Sequence, residues 1–264
     1  MGLISICINV DTRDGFQEEN TEVINSFHGC RSEDFLIDGV LNKIKFFEGF
    51  ETEVILLVDE HNNIPKSILS RLQEITNTLI VRKHTSEHAF NDWNYWRCLS
   101  MANGNYVCHF DQDTVAFTSS TECIINLLDL LNNYSFVSYP SYWSPKAVED
   151  ASFGNRTWAS TRFFICKRES LKLDELANCI REPEWGYRKY GDSPRRCNWT
   201  EHFLSLINND SVFYPPMDIE KYAIFCWKNY RRGIFKELNN LSYDAIKKFI
   251  SDNKGIQYPC DLAI

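Results

Sequence analysis

In the first half of the chain, unbroken apolar runs alternate with stretches in which apolar residues recur every three to four positions. Residues 3–10 (LISICINV) form such a run and end in Asp11-Thr12-Arg13. A continuous run of this length predicts a parallel strand buried on both faces, followed by a loop. Residues 34–48 place Leu36, Val40, Leu41, Ile44 and Phe47 on one helical face. Residues 53–58 (EVILLV) predict a second strand that runs into Asp59. Pro65 is well placed to open a helix through about residue 77, with Ile68, Leu69, Leu72 and Ile75 inward. A short third strand is expected at 79–81. A helix is expected over 90–102, with Asn103-Gly104 as its stop signal. Residues 106–110 (YVCHF) then predict a fourth strand, which leads directly into Asp111-Gln112-Asp113.

The second half is less regular. Helices are expected at 121–133, 168–180 and 200–208, and strands at 136–139, 162–166 and 212–214. Residues 141–160 read as a loop. Residues 181–200 read as a long irregular stretch rich in Trp, Tyr, Arg and Gly. A further helix is expected near 242–252. The alternation predicts an α/β fold.

Composition narrows the classes. Apolar residues are 44% of the 264, enough for a substantial core, and charged residues are 24%, as in globular chains. A net charge of −8 disfavours nucleic acid as a partner, because such binding needs a basic face. An anionic ligand would need a metal or a local basic pocket. None of the ten cysteines forms a CxxC pair, and Cys7, Cys108 and Cys166 lie in apolar runs, where a thiol acts as a small hydrophobe. With no basic n-region at the start and no run of membrane-spanning length, a cytoplasmic location is expected. The basic aromatic segment 228–236 (KNYRRGIFK) offers at most weak peripheral contact with an anionic membrane.

The chemistry concentrates at strand exits. Asp11, Asp59 and Asp113 each follow a predicted strand, and open α/β sheets bind ligands at the carboxyl ends of their strands. Two carboxylates separated by one residue, Asp111 and Asp113, suit Mn2+ or Mg2+, which prefer oxygen ligands and share their shell with phosphates.

The stretch LSMANGNYVCHFDQDTVAF resembles the A-x-G-x-Y-hydrophobic-DxD segment of GT-A glycosyltransferases, in particular the inverting family 2 type. LISICINVDTRD looks like that family's first strand and nucleotide loop, and EVILLVDEHNN like its second strand. TRFFICKRESL is similar to the strand downstream of the metal site, with Ser160 or Thr161 where the family has Gly. CNWTEHFLSLI is similar to the helix that carries the catalytic base. There the family's acidic pair reads Thr200-Glu201 or Glu201-His202, and aligning Leu204 with the family's Leu selects Glu201.

The resemblance implies a GT-A fold, that is, a Rossmann-like nucleotide-diphospho-sugar transferase domain with a mixed central sheet over 1–215. Residues 1–115 would form its donor half and 116–215 its acceptor half, with 216–264 a C-terminal helical extension. It implies metal-dependent transfer from a UDP- or GDP-linked sugar to a hydroxyl of a glycan. Asp113 and Asp111 would ligate the metal, with His202 a further candidate ligand. Asp11, Thr12, Arg13, Asp59, Asn94, Arg97, Asp111 and Gln112 would line the nucleotide-sugar site. Glu201 would be the general base, and Trp158, Trp185 and Tyr187 would stack on the acceptor.

Each assignment has a plainer counterpart. An Asp after a strand commonly makes an Asx turn, and a Glu in a first helical turn favours the helix dipole. A retaining transferase on the same fold, or a non-catalytic nucleotide-sugar-binding relative, remains open. Nucleotidyl transfer is disfavoured, because DTRDGF lacks a Gly-rich basic loop.

Overall fold

The computed structural model describes residues 2–11, 33–60, 64–83, 92–112, 114–116, 121–138, 159–190, 199–209, 211–214, 227–228, 240–242, 245 and 248. Thr12, Arg13, Asp113, Trp158, most of 228–236 and most of the helix expected near 242–252 lie outside them.

Strands β1 (Ile4–Asp11), β2 (Thr52–Glu60), β3 (Thr78–Lys83) and β4 (Tyr106–Asp111) are parallel in the order β3-β2-β1-β4. Strand β7 (Phe163–Lys167) joins β4 antiparallel, then come β6 (Phe136–Ser138) and β8 (Val212–Phe213). The sheet is therefore mixed, as expected. A second, two-stranded ribbon pairs β5 (Thr114–Val115) with β9 (Trp227–Lys228). It brings Trp227 and Lys228 alongside the segment that follows the acidic motif.

The sheet has two covered faces because its strands alternate. Ile4, Ile6, Ile8 and Val10 pack with Val54, Leu56 and Val58 against helices α1 (Glu33–Phe46), α2 (Lys66–Ile75) and α4 (Thr121–Leu130). Cys7, Ile55, Leu57, Val107 and Phe164 face the other way. There they meet α3 (Asp92–Ser100), α5 (Leu173–Arg181), α6 (Pro183–Tyr190) and α7 (Trp199–Leu206). Period-two alternation sends Asn9, His109 and Asp111 to this second face. The cysteines behave as small hydrophobes. Cys7, Cys108 and Cys166 are buried thiols. Burial raises the Cys166 thiol, and for Cys7 the hydrogen bond with Cys98, then burial, does the same.

Three readings change. Pro65 is the residue before α2 rather than its first member. Helix α3 ends at Ser100, so Gly104 is not its stop. A Cβ at Gly104 would lie 2.6 Å from the Leu3 carbonyl oxygen and 2.7 Å from Ser5 Oγ, so glycine permits the close approach of β1. Gly104→Ala is expected to cost about 1–3 kcal/mol by overpacking, read as a lower urea midpoint. An unchanged midpoint would contradict this. Residues 183–190, expected to be irregular, form α6: Pro183 fits a first helical position, and Tyr187 is anchored at 1% exposure with its ring 4.9 Å from Phe203. That burial removes Tyr187 from acceptor stacking. Trp185 packs on the same core with the Lys189 ammonium 4.9 Å over its ring.

Candidate active site

The strand register gathers the acidic residues. Asp11 pairs with Asp59 across β1 and β2, Asn9 pairs with Asp111 across β1 and β4, and Asp59 pairs with Arg82 across β2 and β3. All lie at the carboxyl ends of parallel strands. Asp59 is buried, and next to it Glu60 Oε1 accepts from the Ile64 amide at 2.9 Å.

Asp111 has a hydroxyl on each side. The Tyr95 hydroxyl on α3 donates to Asp111 Oδ1 at 3.3 Å, and Thr161 Oγ1 stands 3.5 Å from Oδ2. Burial, then the negative charge of Asp111, lifts the Tyr95 phenol well above its ordinary pKa, so it stays a donor. Beneath the motif, the buried Lys43 of α1 donates to the Gln112 carbonyl at 2.9 Å, and the neighbouring Asn42 Oδ1 accepts from the Ala116 amide at 2.9 Å. Two consecutive residues of one helix therefore grip the chain on both sides of residue 113. The Gln112 side chain is buried.

Thr161 joins this cluster to α7. Its amide donates to Glu201 Oε1 at 2.6 Å, and its hydroxyl donates to the same oxygen at 2.8 Å. Two residues earlier, the Ala159 amide donates to Ser205 Oγ at 2.8 Å. Glu201 and Ser205 are one helical turn apart, so the segment before β7 docks along a single face of α7. The Thr161 carbonyl accepts from His109 Nδ1 at 2.6 Å. A carbonyl only accepts, so Nδ1 carries the hydrogen. His109 is 0% exposed and stacks on Phe164 with centroids 5.4 Å apart, and burial pushes its pKa down to about 4. It is neutral at pH 7.

The start of α7 is fixed from α3. Asp92 Oδ1 accepts from the Thr200 amide at 2.8 Å and from the Thr200 hydroxyl. A carboxylate at a helix N-terminus satisfies amides that have no partner within the helix. Burial raises the Asp92 pKa, and the Thr200 hydrogen bonds oppose that rise. Glu201 and His202 follow in the first turn, both buried.

Asn94 and Arg97, on α3, sit by Arg82 of β3. Asn94 is buried and its Oδ1 accepts from Arg82 Nη1 at 2.7 Å. Arg97 is exposed, and partial desolvation, then Arg82, holds its pKa below the usual guanidinium value. Arg82, Tyr95, Lys43 and His109 were not singled out from the sequence. His109 left a signal there, as a polar residue inside an apolar strand must find a partner. The other three needed the register of one element against another.

The donor set fits a hard divalent cation. Asp111 supplies carboxylate oxygens, and the amide of its register neighbour Asn9 is buried without a hydrogen-bond partner among the described residues. Among the described residues, no group of three or more His, Cys, Asp or Glu is placed to hold a metal. A cation at Asp111 would thus share its shell with Asp113, phosphate oxygens or water. Among the described residues, no helix is long and apolar enough to cross a membrane.

No family model and no curated protein matches the sequence. Solved structures do. The glycosyltransferase GlyE of Streptococcus pneumoniae TIGR4 is similar over 94% of this chain and 50% of its own, at 12% identity and a TM-score of 0.43. Glucosyl-3-phosphoglycerate synthase of Mycobacterium tuberculosis, solved with Mn2+, UDP-glucose and phosphoglyceric acid, is similar over 64% of this chain and 57% of its own, at 14% identity and a TM-score of 0.41. S. aureus TarS 1-349 is similar over 80% and 57%, at 12% identity and a TM-score of 0.47. The chain thus spans only 50% to 57% of the length of these three proteins.

Proposed function

We propose that this chain is a GT-A-type glycosyltransferase that moves a sugar from a nucleoside diphosphate-sugar to a hydroxyl acceptor, inverting the anomeric centre. The observation that carries the proposal is the convergence on Thr161. Asp111 of the acidic motif and Glu201, ninety residues further along, meet at the two sides of one hydroxyl. A nucleotide-sugar site at strand ends needs oxygen ligands beside the diphosphate and a carboxylate near the reacting carbon. Residues 1–215 are read as the catalytic domain and 216–264 as an extension packed on it; the pairing of β5 with β9 supports that packing.

In this reading Asp59, Asp11, Asn94 and Arg97 bound the nucleoside side, and Thr12 and Arg13 extend it. Asp111 and Asp113 would hold Mn2+ or Mg2+, with His202 beside them. The cation supplies positive charge to the leaving diphosphate. Tyr95 and Lys43 orient the acidic motif. Glu201 takes the proton of the acceptor hydroxyl as that oxygen bonds to the anomeric carbon. The bond from that carbon to the phosphate oxygen breaks, and its electron pair leaves with the nucleoside diphosphate.

The test is a thermal-shift panel of UDP- and GDP-sugars, with and without Mn2+. One donor is expected to raise Tm only when Mn2+ is present. A ligand at a hundred times its Kd contributes about 2.7 kcal/mol. Asp111→Ala should abolish that shift. If no nucleotide-sugar stabilises the protein, the proposal is wrong.

A further inference from the structure

We infer that Thr161 is the positioning residue of the transfer reaction, setting the orientation of Glu201 beside Asp111; this rests on the reading of Glu201 as general base. Every polar group of Thr161 is engaged. The amide and hydroxyl both donate to Glu201 Oε1, at 2.6 and 2.8 Å. The carbonyl is held by the fully buried His109 at 2.6 Å, and the hydroxyl oxygen stands 3.5 Å from Asp111 Oδ2. Thr161 is itself buried, and the residues on either side are pinned too. The Ser160 amide donates to Ser138 Oγ at 2.9 Å, and the Asp111 amide donates to the Arg162 carbonyl at 3.3 Å.

This arrangement exceeds what helix stability requires. A glutamate in a first helical turn is already favoured by the dipole and would ordinarily face water. Here α7 receives its N-terminal acceptor from Asp92 on a different element. Glu201 is instead turned onto Thr161 at 4% exposure, with two donors on one oxygen. Two donors at fixed angles restrict the torsion of the carboxylate and so fix where its second oxygen lies. A hydroxyl has one proton, and the 2.8 Å partner takes it. Thr161 therefore bonds to Glu201 and presents its oxygen to the Asp111 side. A misplacement of about 1 Å in a reacting group costs on the order of a hundredfold in rate.

The experiment follows release of nucleoside diphosphate to water with Mn2+ and, in turn, UDP-glucose, UDP-galactose, UDP-N-acetylglucosamine and GDP-mannose. Thr161→Val keeps the amide and the shape but loses the hydroxyl. It is expected to lower kcat by about 10- to 100-fold, the equivalent of one charge-assisted hydrogen bond. Donor KM and the donor-induced Tm shift should stay unchanged. Thr161→Ser should restore most of the rate. In a Glu201→Gln background, Thr161→Val should cost little more, because residues acting as a unit are not additive. If Glu201→Gln is inactive while Thr161→Val turns over like the wild type, the positioning role is wrong and the base assignment stands. If Glu201→Gln is fully active, or the wild type releases nothing from any donor, the base reading falls and the Thr161 inference with it. Equal losses for Val and Ser, or a loss confined to KM, would also overturn it.

Discussion

Glu201→Gln should lower turnover by about a thousandfold, within the range of about 10² to 10⁴ that a positioned base contributes, or about 4 kcal/mol of barrier. The substitution is nearly isosteric. A glutamine Oε1 can still accept from the Thr161 amide and hydroxyl, which lie at 2.6 and 2.8 Å in the native protein. The segment before β7 should stay docked on α7, and the fold should be intact. What the amide cannot do is take a proton from the acceptor hydroxyl. Because Glu201 lies on α7 and the acidic motif at the end of β4, donor binding should survive. The expected pattern is a donor-dependent Tm shift like that of the wild type, with nucleoside diphosphate release near background. Unchanged turnover would remove Glu201 from the chemistry. Loss of the Tm shift as well would assign it to donor binding.

Acid should destabilise the protein through His109, by about 3 kcal/mol between pH 6.5 and pH 4. The imidazole is buried between the Tyr95 and Phe164 rings, and its pKa falls from 6.5 to about 4 in the folded chain. As pH falls below 6.5 the unfolded chain binds the proton first. The folded state therefore loses stability until its own pKa is reached, and the contribution is fully present only above pH 6.5. A span of about 2.5 pH units corresponds to about 3 kcal/mol. Asp92 acts in the opposite direction. Its burial favours the protonated form in the folded state, so it adds stability as pH falls through its own window. That contribution is common to the wild type and a His109→Gln variant and cancels in their difference. Urea unfolding of both proteins across pH 7 to pH 4 should show a shallower loss in the variant, which retains a side-chain donor for the Thr161 carbonyl. Identical slopes would mean that His109 is not the buried neutral group described above.

The sequence by itself determined the layers and the strand exits. Runs such as 3–10 and 53–58 are apolar at most positions because parallel strands are covered on both faces, and the structure confirms both strands. Asp111 was visible for the same reason, since an acid must leave the apolar run where the strand meets solvent. Thr161 attracted notice only as a small polar residue where the resembled family carries Gly. Its contacts with Glu201, His109 and Asp111 span forty, fifty-two and fifty residues, a separation that local patterning does not encode.

Helix α6 was missed because Pro183, Gly186 and three aromatics read locally as a loop, whereas burial of Tyr187 against Phe203 favours the helix. Lys43 carries no local sign of its role. On a helix whose last turn is basic it reads as solvated, yet the tertiary fold places it under Gln112. Periodicity reports which face of an element is apolar. Which polar groups meet across that face depends on register and on the docking of α3 and α7. That docking decided which residues stand around Asp111.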